Sequence, residues 1–394
     1  MIHELATLIQ KKKPEIDAWL EKKYMEVEIP IYASVDIRDN GIKASIVDTN
    51  VFPAGFNNIA PDAWDSAAEA FKQFLFKNTV KRNILIVAEA HTRNLFYFSN
   101  LYALSQIVER AGYHVTLGTL SPDIEDRLEV FDNEGNELVL ERIRSDEGYL
   151  RTRSFEDGAV ILNNDFSVAD PLVMDGLKNS VFPPVKLGWF ERTKFNHFSH
   201  FADLVTEFAE EVGIDPWLLN PLASKVDSVD FSTGENIEEL SRAVDSLIER
   251  VAEKYKEYGI EEEPYVFVKD NSGTYGMGVM SVKSGKEILQ TNNRTRNNMT
   301  RGKQKSVIDS VIIQEGIPTR YSNKECTQEP VLYTVARNIV GGFMRTHDKK
   351  DERSSLNSPG ARFEPLQDHH YHSHYELLAH LATIAVGREI EEIK

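Results

Sequence analysis

The 394-residue chain exceeds the length that one hydrophobic core usually organises, so two or three domains are expected. Hydrophobic residues make up 41% and charged residues 27%, as in an ordinary soluble protein, and the formal charge of −17 argues against nucleic acid as a partner. No apolar run is long enough to span a bilayer, and a single cysteine, Cys326, excludes an internal disulfide and favours a reducing cytoplasm.

Local patterns in the first half of the chain predict a mixed α/β arrangement. Residues 2–25 carry apolar side chains at helical spacing and lack the apolar core of a signal peptide, so one or two helices are expected there. Strands at 84–89 and 114–117 enclose a helix at 95–111, which is the pattern of a βαβ unit. The remaining elements are strands at 29–37, 42–47 and 159–162, a meander or hairpin over 121–157, and a helix over 197–212.

Polar side chains collect in one loop and at two strand ends of this half. Because ligands bind beyond the carboxyl ends of parallel strands, these side chains are candidates for binding a small substrate. Amides in the loop 48–58 suit a zwitterion, but such loops also satisfy their own backbone as turns, and both interpretations have equal weight. For 91–94, a carboxylate clamp competes with a solvated turn and helix cap. The candidates are Asn50, Asn57, Asn58, His91, Arg93, Asn94, Asn163, Asn164 and Asp165.

The second half contains a glycine-rich segment between two apolar runs. Strands at 265–268 and 279–282 enclose Lys269 and a loop with three glycines, whose backbone N–H groups can converge on phosphate oxygens. The second run is a strand, which separates this loop from the two commonest nucleotide motifs, because both of those open a helix. A flap over a triphosphate is therefore one interpretation, and an ordinary hairpin turn is the other.

Further elements predicted in this half are a helix at 237–258, strands at 307–314, 329–335 and 339–344, and a last helix at 375–393. Two polar clusters lie among them. The basic, amide-rich segment 292–305 is interpreted as a loop that faces phosphate or closes over substrate, with a merely solvated loop as the alternative. The four histidines in 369–374 suggest a transition metal, but phosphoryl transfer needs oxygen ligands, so a helix-entry segment is the preferred interpretation.

Several motifs resemble the ATP-grasp ligases, and more narrowly the proteobacterial ATP-grasp type of glutamate–cysteine ligase. The match spans most of the chain, and its motifs lie at 47–58, 90–94, 162–165, 268–278, 314–319, 329–333, 340–345 and 356–360. The resemblance implies an α/β fold, α+β in its C-terminal part, in which an ATP-grasp region follows an N-terminal α/β domain. It also implies that 1–120 binds substrate, 121–222 completes that domain, and 223–394 binds nucleotide.

The resemblance further implies that ATP and Mg²⁺ are cofactors and that glutamate and cysteine are joined through a γ-glutamyl phosphate, the first step of glutathione synthesis. Lys269 and Arg345 would hold phosphates as catalytic residues. Asn357, with Glu329 or a carboxylate from Asp348, Asp351 and Glu352, would offer Mg²⁺ the oxygen ligands that it prefers. The Glu-x-Asn strand that ATP-grasp enzymes commonly carry near the carboxyl end is absent. The implied nucleotide-binding residues, with Lys225 assigned from position alone, are Lys225, Lys269, Ser272, Gly273, Thr274, Tyr275, Gly276, Met277, Gly278, Gln314, Glu315, Gly316 and Ile317.

The expected partners are small molecules, with neither nucleic acid nor membrane, and a homo-oligomer is left open. Two alternatives remain. Another ATP-grasp ligase, similar to glutathione synthetase or adding glutamate, would share the nucleotide half. A non-catalytic nucleotide-binding regulator would share the fold, but the presence of Lys269, Glu315, Arg345 and Asn357 in one chain speaks against it.

Overall fold

The structure is a computed structural model that describes residues 1–90, 94–166, 171–272, 278–291, 299 and 310–394. Its helices are α1 (Ile2–Lys11), α2 (Lys13–Met25), α3 (Trp64–Asn78), α4 (Leu95–Arg110), α5 (Lys194–Val212), α6 (Ile237–Glu257), α7 (Gly285–Leu289) and α8 (Ser373–Glu392). In the described part of the chain, no helix has the length and apolarity needed to cross a membrane.

The predicted strands are present, with ends that shift by a few residues. They are β1 (Tyr32–Asp39), β2 (Ala44–Asn50), β3 (Asn83–Ala88), β4 (His114–Thr119), β5 (Arg127–Phe131), β6 (Glu137–Arg142), β7 (Arg144–Asp146), β8 (Tyr149–Arg151), β9 (Ala159–Asn163), β10 (Val181–Phe182), β11 (Ala223–Asp227), β12 (Val266–Asp270), β13 (Val279–Val282), β14 (Ser310–Glu315), β15 (Thr327–Val335), β16 (Asn338–His347) and β17 (Arg362–Pro365). The structure also contains elements that were not predicted, namely α3, α7, β10, β11 and β17. The first part of the strand predicted at 307–314 lies outside the described residues.

A six-stranded sheet in the order β10-β9-β3-β4-β6-β5 contains the predicted βαβ unit. Strands β3, β4, β6, β9 and β10 run parallel, and β5 joins β6 as an antiparallel hairpin. The apolar run of β3 is buried on both faces, as expected for a strand at the centre of a parallel sheet. The region predicted as a meander is therefore built from two hairpins, β5–β6 and β7–β8.

A five-stranded antiparallel sheet in the order β17-β16-β15-β1-β2 joins the two ends of the chain. Val35, Ile37, Leu332 and Met344 project from one face into a core with Leu378 of α8 and other residues of that helix. Strands from the first and last of the three predicted segments thus share one sheet. The segment limits at 120 and 222 stay a prediction, since pairing between residues about 300 positions apart leaves no local pattern in a sequence.

A four-stranded antiparallel sheet in the order β11-β14-β12-β13 carries the nucleotide-binding candidates. The residues Val226, Val266, Val268, Val311 and Ile313 pack with α6 in one core. Because side chains alternate along a strand, Lys225, Lys269 and Gln314 point to the opposite face of the sheet, together with Phe267 and Ile312. This face is partly covered, since Ile312 is buried in the core that contains residues of α5 and α8, and it carries the polar binding candidates beside that core.

Candidate functional site

A cavity of about 220 Å³ lies against the face of the five-stranded sheet that α8 does not cover. Its wall includes five of the residues predicted as site residues: Asn50, Asn58, Asp165, Arg345 and Asn357. These residues are separated by as many as 307 positions in the sequence, and the sheet brings them together. The predictions for the first half and the second half of the chain therefore meet in a single cavity.

Strand register explains why these side chains share the cavity. Asp48 of β2 pairs with Asp36 of β1, and Asp36 pairs with Val331 of β15. Residues directly opposite each other in a sheet project from the same face, so this row of side chains points into the cavity. The next row along contains Asn50 and its partner Ser34. Asp36 was missed by the sequence analysis, although an acidic residue within an apolar strand was a visible signal. Asp48 belongs to the polar loop 48–58 but was not among the predicted site residues.

Four charged side chains form a chain of ion pairs beside the cavity. Arg345 Nη1 lies 2.6 Å from Asp36 Oδ2 and 2.7 Å from Glu329 Oε1, and Arg38 Nε pairs with the other oxygen of Glu329. Burial raises the pKa of Glu329, but the two guanidinium groups outweigh burial and hold that pKa below its usual value. Burial also raises the pKa of Asp36, against the opposing effect of Arg345.

This chain of ion pairs bears on two predictions. Both oxygens of Glu329 are occupied by guanidinium groups, which leaves Glu329 poorly suited to bind Mg²⁺. Arg345 faces two carboxylates, and its buried Nε has no hydrogen-bond partner among the described residues. Nowhere in the described ranges do three or more His, Cys, Asp or Glu residues come together as a metal site.

Lys269 on β12 links the four-stranded sheet to the cavity. Its Nζ donates to the carbonyl oxygen of Val47, at 3.0 Å, and to Gln314 Oε1, at 2.5 Å. Val47 precedes Asp48 in β2, an edge strand of the five-stranded sheet. Burial lowers the pKa of Lys269 to about 8, although Asp48 opposes this shift. The phosphate-binding candidate therefore lies one residue from the wall of the cavity.

Lys225, Lys269 and Gln314 lie on one face of the four-stranded sheet. Lys225 and Lys269 flank Ile312 of β14 from its two neighbouring strands, and Gln314 follows Ile312 by two residues. Lys225 Nζ pairs with Asp227 at 3.0 Å, and the side-chain Nε2 of Gln314 is buried without a hydrogen-bond partner in the described part of the chain. Two cations and a free amide donor on one face suit a polyphosphate.

The residues after β14 are buried and bonded to their surroundings. Glu315 pairs with Lys43 at 2.9 Å, and its carboxylate also accepts from Trp217 Nε1 at 3.2 Å. The backbone N–H of Gly316 donates to Tyr265 O at 2.8 Å, and a Cβ at this position would lie 2.3 Å from the Tyr265 ring. Ile317 is also buried. These contacts fix the segment predicted to adjoin adenine and ribose.

The glycine-rich loop is described only at its two ends. The N–H of Ser272 donates to Asp270 Oδ1, and Gly278 has φ of 61°, in the left-handed region that favours glycine. Gly273, Thr274, Tyr275, Gly276 and Met277 lie outside the described residues, as does most of the basic segment 292–305. The phosphate-binding role of the loop remains a prediction.

The remaining substrate candidates mostly stabilise loops. Asn163 donates to Pro53 O and accepts from Asn100, Asn164 donates to Ala88 O, and Asn57 donates to Asn58. The side chain of Asn94 accepts from Tyr97 N at 3.2 Å, so the alternative of a helix cap is the one that the structure contains. His91 and Arg93 fall outside the described residues.

The histidine segment leads into α8 and supports Asp39. His374 Nε2 and the Tyr375 hydroxyl both lie within hydrogen-bond distance of Asp39 Oδ2, at 3.2 Å and 2.7 Å. His372 is the residue before the helix, with its Nε2 3.2 Å from the Tyr321 hydroxyl. The preferred interpretation of this segment as a helix entry agrees with these contacts.

Comparison with known proteins gives a family for the chain. A family model described as GshA, glutamate-cysteine ligase, matches residues 6–389. A crystal structure from Methylobacillus flagellatus KT, provisionally named a gamma-glutamylcysteine synthetase, is 36% identical with a TM-score of 0.91, over 99% of this chain and 96% of that one. A search of curated proteins found no match.

Two other solved structures are far more distant. D-alanyl-alanine synthetase A from Vibrio cholerae O1 biovar eltor strain N16961 is 12% identical with a TM-score of 0.40, over 79% of this chain and 82% of that one. A glutathione synthetase-like effector from Globodera pallida is 10% identical with a TM-score of 0.38, over 92% and 84%. Similarity at this level does not support any conclusion about the function of this chain.

Proposed function

The chain belongs to the glutamate–cysteine ligase family and is a ligase, and from this premise we propose that it joins L-glutamate to L-cysteine at the expense of ATP. The γ-carboxylate of glutamate attacks the γ-phosphorus of ATP, which forms a γ-glutamyl phosphate and releases ADP. The amine of cysteine then attacks the acyl carbon, loses a proton and releases inorganic phosphate. The product is the amide γ-glutamylcysteine.

One observation carries this proposal: a cationic sheet face and a polar cavity adjoin each other at β2. Lys269 and Gln314 supply donors on the sheet face, and Asp48, Asn50 and Arg345 line the cavity. Phosphoryl transfer needs its two reactants in line and its negative charge balanced, and little acid–base chemistry. ATP on the sheet face would direct its γ-phosphate toward the cavity, where the amino acid would lie.

Mg²⁺ is proposed as a companion of ATP, because Mg²⁺ commonly keeps several waters and binds through substrate phosphates and only one or two protein groups. Asn357 lines the cavity and fits such a limited role. Glu329, with both oxygens held by arginines, does not. The ion would neutralise phosphate charge, and every other part of the proposal rests on the side chains of the protein.

Coupled ADP and phosphate release, measured over pairs of amino acids, tests the proposal. We expect turnover with glutamate plus cysteine, and at least tenfold less with aspartate plus cysteine or with γ-glutamylcysteine plus glycine. Mass spectrometry should identify γ-glutamylcysteine as the product. Turnover only with a dipeptide plus glycine would instead indicate a different ligase, and bound nucleotide without turnover on any pair would indicate a regulator.

The affinity for ATP should fall above about pH 8. The Lys269 ammonium in the free protein loses its proton as pH rises through its pKa of about 8, so each further unit weakens phosphate binding by up to about tenfold. Calorimetry with a non-hydrolysable ATP analogue from pH 7 to 9.5 measures the effect. In Lys269→Arg, whose guanidinium keeps its proton over this range, the dependence should disappear. Equal slopes in the two proteins would contradict the role of Lys269.

A further inference from the structure

We propose that Asp48 binds the α-ammonium group of the amino acid whose side-chain carboxylate is activated, so that this residue makes the site select an α-amino acid over a plain dicarboxylic acid. The inference rests on the proposed function, and it assigns a specific role to an acidic residue of the polar loop 48–58.

Asp48 differs from the other two carboxylates that line the cavity. Asp36 directs both oxygens at Arg345, at 2.6 and 3.3 Å, and Asp165 is only 5% exposed. The side chain of Asp48, on the edge strand β2, is 34% exposed. Among the described residues only Lys194 bonds to it, through Oδ1 at 2.6 Å, which leaves Oδ2 available to a cation in the cavity.

The charge of Asp48 is permanent over the physiological range. Burial alone would raise the pKa of this carboxyl, but Lys194 and Lys269 outweigh burial and lower the pKa to about 2. A carboxylate of this kind is a weak base and a good partner for an ion pair. The amine of cysteine must lose its proton in order to attack, whereas the α-amino group of glutamate stays charged throughout. The chemistry of Asp48 therefore suits the amino group of glutamate.

Two buried anchors hold Asp48 in place. Lys194, which is 8% exposed, pairs with its carboxylate and lies 4.8 Å from the centre of the Trp189 ring. On the adjoining residue, the carbonyl oxygen of Thr49 accepts from Arg192 Nη1 at 2.8 Å. A carboxylate fixed in this way binds an ammonium group with little loss of conformational freedom, which strengthens the interaction.

Glutarate, which is glutamate without its amino group, serves as the probe. In wild-type protein, kcat/KM for ADP release with cysteine should be about 10²-fold higher for glutamate than for glutarate, since a hydrogen-bonded charge pair is lost with the analogue. In Asp48→Asn the ratio should fall to within about threefold, through a higher KM for glutamate, with the KM for ATP within about twofold of wild type. Asp157→Asn, which alters an exposed ion pair with Lys81, is the matched control and should keep the wild-type ratio.

Asp48→Asn leaves Lys194 buried without its partner, so the double variant Asp48→Asn/Lys194→Met provides a second test that removes both charges. It should show the same loss of selectivity. A wild-type protein that uses glutarate as well as glutamate, or a folded variant that keeps the 10²-fold ratio, would overturn the inference while leaving the ligase activity intact. Absence of glutamate-dependent turnover in wild type would instead overturn the proposed function itself.

Discussion

Replacing Lys269 with methionine is expected to lower kcat/KM for ATP by about 10²- to 10³-fold, the usual effect of removing one preorganised donor from a transition state that gathers negative charge. Methionine keeps the length and the apolar contacts of the lysine side chain but removes its hydrogen bonds to Val47 and Gln314. Steady-state kinetics over a range of ATP concentrations, at pH 7, would measure the loss.

Lys283→Met is the matched control for this change. Lys283 directly follows the same sheet, is 47% exposed and pairs with Glu263, so its loss should leave kcat/KM within about twofold of wild type. Melting temperatures of both variants would separate lost chemistry from lost structure. A Lys269→Met protein that folds normally and turns over within threefold of wild type would remove Lys269 from the proposed mechanism.

Replacing Glu389 with alanine should lower the free energy of unfolding by about 3–5 kcal/mol, because it leaves the buried guanidinium group of Arg192 without its carboxylate partner. Glu389 on α8 accepts from Arg192 at 2.7 and 3.1 Å and lies 2.5 Å from His197 Nδ1, and all three side chains are 2% exposed. Urea denaturation, followed by the far-ultraviolet circular dichroism signal, measures the change.

Glu391→Ala, two residues further along the same helix, is the control. Glu391 is 43% exposed, and its loss should alter stability by less than about 1 kcal/mol. Burial raises the pKa of Glu389, but Arg192 and His197 outweigh burial and lower it to about 2. The folded pKa lies below the unfolded value near 4.3, so the stability from this carboxylate is present above about pH 4 and is lost as pH falls toward 2. Equal losses in both variants at pH 7 would contradict the network.

The Glu389 network also links the cavity to α8, a helix that does not line it. Arg192, held by Glu389, donates to the carbonyl oxygen of Thr49 between Asp48 and Asn50. Loss of Glu389 should therefore disturb the cavity as well as the core. The local sequence of α8 does not predict this link. Its apolar spacing predicts a helix, but it does not indicate that Glu389 pairs with an arginine nearly 200 positions away.

The predicted site residues fall into two groups, those with unpaired or cationic donors near the cavity and those whose side chains bond to the protein itself. Lys269, Gln314 and Arg345 carry unpaired or cationic donors in buried strands, and such residues are conspicuous in a sequence because burial of charge is unfavourable without a function or a partner. Asn94 and Asn163 were equally conspicuous but bind backbone or neighbouring amides. Residue type alone does not separate these outcomes, because an asparagine bonds to a backbone group as readily as to a ligand.

The sequence by itself determined the α/β class, the order of most elements and the motifs that identify a glutamate–cysteine ligase, because hydrophobic periodicity and motif wording are local. Only the tertiary structure decided that β1 and β2 pair with β15 and β16, and that Asp36 and Asp48 face the same cavity as Arg345. Strand register and ion pairing depend on contacts between distant residues. Those contacts place Lys269 of β12 against β2, beside the cavity that the polar loop lines.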